Sequence, residues 1–185
     1  MAADFREAIM KNQDIQTRWR KVLAQLERAD GSSDELFDAV DDLQAQLKEQ
    51  LFPEGQPLDR PADIEPNDPR LELLFDALAT LAVLEPDDAA FPWERGWLLS
   101  LFGWHLEAAE DYLTAARLAV RDAEAGTGVV GDEADWAKSA LYHAAKNLAL
   151  GGHPTAAAAL LPQLDAEDRA EVEPLVGAKA SETIL

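Results

Sequence analysis

The sequence predicts an all-α fold built from antiparallel helical hairpins, and three observations support this prediction. Apolar residues recur every three or four positions along most of the 185 residues, and no segment shows the strict alternation of a half-buried strand. Glycine, proline and capping residues divide the chain at the spacing of short helices. The apolar fraction of 48% is sufficient for a folded core, and the length fits one domain better than two.

The first 51 residues are expected to form an N-terminal helical hairpin, 1–51. Apolar residues at helical spacing predict its first helix over 2–29, and the capping box of Ser32 and Glu35 begins its second helix. Residues 1–30 hold six basic and five acidic residues, so they carry +1 while the rest of the chain carries −21. This first helix could dock on an acidic surface and mediate a homodimer, or it could pack as an ordinary N-terminal helix.

The segment 52–69 is expected to be an extended loop. It holds five of the ten prolines and too few apolar residues for a buried strand. Because loops of this length are unusual in compact domains, the segment is either a functional arm or a domain boundary. The sequence leaves open whether it folds over a binding groove as a lid.

The segment 70–176 is predicted to form a helical array, and 177–185 a flexible tail. Proline at a first helical position and glycine after a last one give the limits of each helix. A glycine-rich loop, 126–131, interrupts the array. The predicted helices cover approximately residues 69–84, 92–102, 105–123, 133–150, 154–164 and 165–176.

Two helix pairs within this array repeat the same order of small residues. The first pair has small residues at helix centres and at the turn, together with one large aromatic residue, Tyr112. A shift of 49 residues places small residues at the matching positions of the second pair, where Leu161 and Leu164 replace the aromatic residue and the last alanine. The small residues are Gly96, Gly103, Ala108 and Ala115 in the first pair and Ala145, Gly152 and Ala157 in the second.

This order resembles the tetratricopeptide repeat, in which small residues let the two helices of a hairpin approach closely. With Leu99 also in register, the first pair matches the repeat well, and the second matches it in part. A degenerate third unit is indicated upstream, where the helix over 69–84 takes the place of helix B and Pro86 that of the terminal proline. The alternative is a plain helical bundle that places glycine and alanine in the same way.

The resemblance implies a concave groove, lined by the first helix of each hairpin, that holds a peptide. Trp93 and Trp97 lie four residues apart on one helical face, and aromatic anchors of this kind are typical binding hot spots. The alternative is that both tryptophans belong to the core. The predicted groove residues are Trp93, Trp97, Ser100, Leu101, Tyr142 and Lys146, with Ala90, Ser139, Ala149 and Leu150 on the same faces.

The expected function is that of a protein-interaction module, an adaptor or chaperone that binds a hydrophobic or amphipathic segment of a partner protein. Some family members clamp a partner's terminal carboxylate with Lys and Asn, but Trp93 and Trp97 stand at those positions here. The order of helices also looks like that of the class II type III secretion chaperones. The alternative is a constitutive subunit of a larger assembly, without a peptide groove.

No catalytic, metal or cofactor site is predicted. The chain has no cysteine and three separated histidines, and the loop over 126–131 lacks the lysine of a phosphate-binding loop. Pairs of acidic residues, Glu35 with Asp38 and Glu107 with Glu110, leave a metal-dependent nucleotide hydrolase as a distant alternative. A solvated acidic face is the simpler interpretation.

A net charge of −20 opposes binding to nucleic acid or to an anionic membrane. No window of the sequence approaches eighteen apolar residues, and the charged N-terminal stretch does not resemble a signal peptide. We therefore expect a cytoplasmic protein with protein partners only.

Overall fold

A computed structural model gives the fold of the chain. All regular structure in the described residues is helical, which confirms the predicted all-α class. The chain divides into two compact units, 1–86 and 87–185, whereas its length was expected to fit one domain better than two. The described residues are 33–52, 68–125 and 133–182, with the single positions 17, 20, 21, 24 and 64.

The first unit contains a pair of packed helices, α1 (Ser33–Leu51) and α2 (Pro69–Leu84). The carboxylate of Asp68 caps α2 by accepting a 2.8 Å hydrogen bond from the backbone N–H of Arg70, and Pro69 occupies the first turn as predicted. The buried apolar residues recur at helical spacing on each helix. They are Val40, Leu43, Leu47 and Leu51 on α1, and Leu71, Leu74, Ala77, Leu78 and Leu81 on α2.

The second unit contains five α-helices in its described part. Successive helices pack against one another, and α5 also contacts α7. The helices are α3 (Ala90–Leu101), α4 (His105–Ala125), α5 (Glu133–Leu150), α6 (Pro154–Leu160) and α7 (Ala166–Glu182), with a short 3₁₀ turn (Leu161–Gln163) after α6.

Left-handed glycines form the turns of the two predicted hairpins. Gly103 between α3 and α4 has φ 78°, and Gly152 between α5 and α6 has φ 83°. Since L-residues with a side chain are strained in this region, glycine ends the first helix of each hairpin at little cost. The two glycines lie 49 residues apart and adopt the same backbone conformation, so the repeat in the sequence corresponds to a repeated turn.

Small residues bring the helices of the second unit close together. A Cβ atom on Gly96 would lie 3.2 Å from the carbonyl oxygen of Ala108 and 3.2 Å from the ring of Tyr112. The interface of α4 and α5 is built mainly from buried alanines, which allow the same close approach. These alanines are Ala108, Ala109, Ala115, Ala116, Ala119, Ala137, Ala140, Ala144 and Ala149.

Two polar side-chain contacts join neighbouring helices of the second unit. The guanidinium of Arg95 on α3 bonds both carboxylate oxygens of Asp111 on α4, at 2.6 and 2.5 Å, and Asp111 is only 6% exposed. At the start of α4, Nδ1 of His105 lies 2.8 Å from the amide oxygen of the buried Asn147 on α5. Each link satisfies a polar group that would otherwise be buried without a partner.

Two helix ends differ from the predictions. The helix that begins at Pro154 ends at Leu160 instead of about residue 164, because Pro162 has no N–H for an α-helical bond and the chain continues as the 3₁₀ turn. The last helix continues to Glu182, into the segment expected to be a tail. Gly177 did not end it, since residues 178–180 (Ala-Lys-Ala) favour helix.

Several predicted features lie outside the described residues. They include most of the helix over 2–29 and its homodimer contact, most of the proline-rich loop, and the glycine-rich loop over 126–131. Among the helices that are described, none combines the length and the apolar character needed to cross a membrane.

Candidate functional site

Trp93 on α3, predicted as a groove residue, lies in a cluster of rings between three helices. Its ring centroid is 6.0 Å from that of Tyr112, 5.7 Å from that of Trp136 and 6.1 Å from that of His143. The side chain is half-buried and packs against buried alanines of α4 and α5. Trp93 therefore contributes to the internal packing of the second unit. We call Trp93, Tyr112, Trp136 and His143 the aromatic cluster.

His143 stacks on Tyr112 in this cluster, with centroids 5.0 Å apart and planes inclined by 20°. Burial, together with the positive charge of Lys146, lowers the pKa of the His143 imidazole. Burial also raises the pKa of Tyr112 to about 12, against a hydrogen bond with Ser100 that acts in the opposite direction. Both rings are therefore neutral near pH 7.

The remaining predicted residues of α3 are also half-buried. Trp97 packs against the buried residues Ala108, Tyr112 and Ala144. The hydroxyl of Ser100 donates a 2.8 Å hydrogen bond to the carbonyl oxygen of Trp97. Leu101 is the last residue of α3.

Tyr142 and Lys146 of α5 form a network with Glu171 of α7. The Tyr142 hydroxyl donates to Glu171 at 2.6 Å and accepts from the Lys146 ammonium at 2.8 Å, which also lies 3.6 Å from Glu171. Burial, then the bond to Glu171, raises the pKa of Tyr142. These two predicted groove residues therefore link α5 to α7.

The residues placed on the groove faces thus make extensive contacts within the second unit. Ala149, placed there by register, is fully buried beside Ala109, Leu148 and Ala157. Leu150, by contrast, is 40% exposed. None of the six principal groove residues lines the cavity described next.

An open groove with a volume of about 770 Å³ lies between α4 and the end of α6. We call it the α4–α6 groove. Residues of α4 form one wall, Leu141 of α5 lies on its floor, and Leu160 with the 3₁₀ turn closes the other side. The lining residues are Glu110, Leu113, Thr114, Ala116, Arg117, Val120, Leu141, Leu160 and Gln163.

The two helices that border the α4–α6 groove differ greatly in length. Helix α4 has 21 residues and α6 has 7, so α6 covers only part of the α4 side that faces it. Pro162 ends α6, and the chain then enters α7, which packs against α5 and α6. Within the described residues, the later turns of α4 therefore have no full-length neighbour on this side.

The groove combines an apolar floor with a polar rim. Leu113, Leu141 and Leu160 are half-buried, and Val120 is 45% exposed. The rim carries one acidic residue, one basic residue, a hydroxyl and an amide. They are Glu110, Arg117, Thr114 and Gln163.

This groove was not predicted from the sequence, although two signals for it were present. Leu113 and Val120 lie seven residues apart on a face of α4 other than the alanine face that packs on α5. A second apolar stripe on one helix indicates a second contact. Pro162 was the other clue, since it shortens the neighbouring helix.

The acidic pairs do not form a metal site in the part of the chain that the structure describes, where no group of three or more potential ligands occurs. Glu35, Asp38, Glu107 and Glu110 are exposed. Asp111, beside Glu110, is bound to Arg95 instead.

Comparison of the chain with protein-family models, with curated proteins and with solved structures gives no match.

Proposed function

We propose that the second unit is a tetratricopeptide-like hairpin array that acts in the cytoplasm as a protein-interaction module. It holds a hydrophobic or amphipathic segment of a partner protein, as an adaptor or chaperone does. The observation that carries this proposal is the α4–α6 groove, which is open, apolar on its floor and polar on its rim. Grooves of this composition suit an amphipathic helix.

The repeat assignment is supported by backbone geometry and packing. Gly103 and Gly152 form left-handed turns at corresponding positions of two hairpins, and Gly96 allows the ring of Tyr112 to approach α3. Ala145 and Ala157, which match Gly96 and Ala108 in the second hairpin, are fully buried. These are the contacts that the repeat pattern requires.

The dimensions of the groove favour a short helix as its occupant. From Glu110 to Val120, α4 extends about 15 Å along the groove at 1.5 Å per residue. A partner helix of about three turns has this length, and its apolar residues at i, i+3 or i+4, and i+7 would meet the leucines of the floor. A helix of this kind takes the place beside α4 that the short α6 leaves uncovered.

Photocrosslinking tests the proposal directly. A photoreactive amino acid replaces Val120 in the groove or, as a control, Val83 on α2, which is 77% exposed and outside the groove. We expect the Val120 position to crosslink to one defined partner, with the adduct mapping to an amphipathic helix. The Val83 position should not yield that adduct.

Affinity for that mapped segment then tests the chemistry of the site. Val120→Asp should weaken binding of the segment at least about tenfold, because it places a charge against an apolar face. Val83→Asp makes the same change elsewhere and should leave the affinity unchanged. Equal affinity of the two variants would refute the groove as the binding site. A permanent heteromeric complex would instead favour the assembly-subunit alternative, and a crosslink to a second copy would indicate a homodimer.

A further inference from the structure

The charged residues on the rim of the α4–α6 groove have fixed positions along α4. Glu110 and Arg117 are separated by seven residues, which is two helical turns or about 10 Å. Thr114 lies between them on the same stripe, and all three line the groove. A helix bound parallel to α4 would therefore lie beside the negative charge of Glu110 and, two turns further on, beside the positive charge of Arg117.

A hydrogen-bond chain holds the guanidinium of Arg117 on the groove side of α4. Nη2 of Arg117 donates to the Thr114 hydroxyl at 2.9 Å. That hydroxyl donates in turn to the backbone carbonyl oxygen of Glu110 at 3.0 Å. The Thr114 contact orients Arg117 and leaves the other guanidinium N–H groups able to bind a carboxylate.

Neither charge is neutralised by a residue that the structure describes. Arg117 and Glu110 form no ion pair with any described residue, whereas Arg121, one turn beyond Arg117, contacts Asp87 at 2.8 Å. Thus the exposed arginine outside the groove has a carboxylate partner, and the one that lines the groove has none in this part of the chain.

Building on the proposed function, we infer that the occupant of the α4–α6 groove is an amphipathic helix with one acidic and one basic residue about two turns apart beside its apolar face. Its carboxylate meets Arg117 and its basic group meets Glu110. Because the helix can run parallel or antiparallel to α4, either order of the two charges satisfies the site. Two like charges cannot, since one of them must face a rim residue of its own sign.

Synthetic helices test this inference. Hydrocarbon-stapled, fluorescein-labelled peptides of about twelve residues carry leucines at i, i+3, i+4 and i+7 and differ only at two flanking positions seven residues apart. Those positions hold Glu and Lys, two Lys, two Glu or two Gln. Fluorescence anisotropy with the full-length protein gives the dissociation constant for each peptide.

We expect the Glu/Lys peptide to bind about threefold to tenfold more tightly than the others, as for two exposed ion pairs. The affinity of the Glu/Lys peptide is compared most strictly with that of the Lys/Lys peptide. A chain of charge −20 attracts the more basic peptide at long range, so this general attraction opposes the expected order. A stronger affinity for Lys/Lys than for Glu/Lys would overturn the inference.

Reversing the charge of one rim residue, Arg117 or Glu110, provides a second test of the inference. Arg117→Glu should shift the preference to the Lys/Lys peptide, and Glu110→Lys to the Glu/Glu peptide. Arg121→Glu is the matched control, since it makes the same charge change on the same helix outside the groove and should keep the Glu/Lys preference. Identical behaviour of Arg117→Glu and Arg121→Glu would contradict the assigned role of Arg117.

The outcomes separate this inference from the proposed function. If all four peptides bind equally and Val120→Asp abolishes that binding, the groove is a binding site without the charge preference. If no peptide binds, or if Val120→Asp has no effect, both the groove function and the charge preference are wrong.

Discussion

His143 is a titratable residue placed among rings, and this position makes the stability of the second unit depend on pH. The imidazole stacks on Tyr112 and lies edge-on to Trp93 and Tyr142. Its pKa is lowered from 6.5 by burial and by the charge of Lys146. Between the folded pKa and 6.5, the unfolded chain binds a proton that the folded chain does not, so protonation favours unfolding. This contribution to stability is complete above pH 6.5 and is lost as the pH falls through the folded pKa.

We therefore expect the free energy of unfolding to fall more steeply below pH 6.5 in the natural protein than in a His143→Phe variant, which keeps a stacked ring but cannot titrate. Urea denaturation at about pH 7.5 and 5.5 measures the difference, and titration common to both proteins cancels. His153→Gln, at an exposed position, is the control and should retain the natural pH dependence. Equal slopes for the natural protein and His143→Phe would show that His143 does not carry the effect.

Trp93 shows how far a single residue can be assigned from sequence. Its helix, its neighbours in sequence and its four-residue spacing from Trp97 were all predictable. Whether the indole faces a groove or a neighbouring ring depends on Trp136 and His143, which lie on a helix some forty residues further along the chain. Local spacing gives the face of a helix and does not identify what that face meets.

At the scale of elements, α3 and α4 are joined by close packing at Gly96 and by the ion pair of the half-buried Arg95 with the buried Asp111. We predict that Arg95→Leu lowers the free energy of unfolding by about 2–4 kcal/mol, because it leaves the Asp111 carboxylate buried without its partner. Arg121→Leu, which breaks the exposed pair with Asp87, should cost no more than about 1 kcal/mol. Urea denaturation of the two variants measures both costs.

Similar losses in Arg95→Leu and Arg121→Leu would show that burial does not strengthen the first pair. A double variant, Arg95→Leu with Asp111→Leu, provides a further check. It removes the unpaired charge and should recover part of the stability that Arg95→Leu loses.

The first and last residues of a helix were predictable where one capping residue or one glycine determines them. They were less predictable where neighbouring residues have opposing preferences. Asp68 and Asp165 cap the helices that follow them, and Gly103 and Gly152 form the expected turns. The last helix was expected to end at about residue 176, just before Gly177. In the structure Gly177 lies within α7, since no left-handed turn follows it and its neighbours favour helix.

For the whole molecule, the division at Pro86 and Asp87 predicts that the second unit folds alone. All five of its described hydrophobic clusters draw on residues between Ala89 and Val176 only. A fragment of residues 87–185 should therefore show helical circular dichroism and one cooperative thermal transition. A broad, non-cooperative transition would mean that the second unit needs residues 1–86.

The α4–α6 groove also depends on how the helices of the whole unit pack, and for this reason it was not predicted from the sequence. The stripe on α4, the proline after α6 and the leucine on α5 are separate local features. The groove lies where the fold brings a helix of 21 residues and one of 7 to the same cavity. Predicting it requires the packing order of the helices in addition to their limits.

The aromatic cluster also has an optical consequence. The indole rings of Trp93 and Trp136 lie 5.7 Å apart and are inclined by 37° to each other. At this separation their electronic transitions couple, and we expect a signal of paired opposite sign in circular dichroism because the two rings are not coplanar. Because one indole belongs to α3 and the other to α5, this signal reports the assembly of these two helices without any added label.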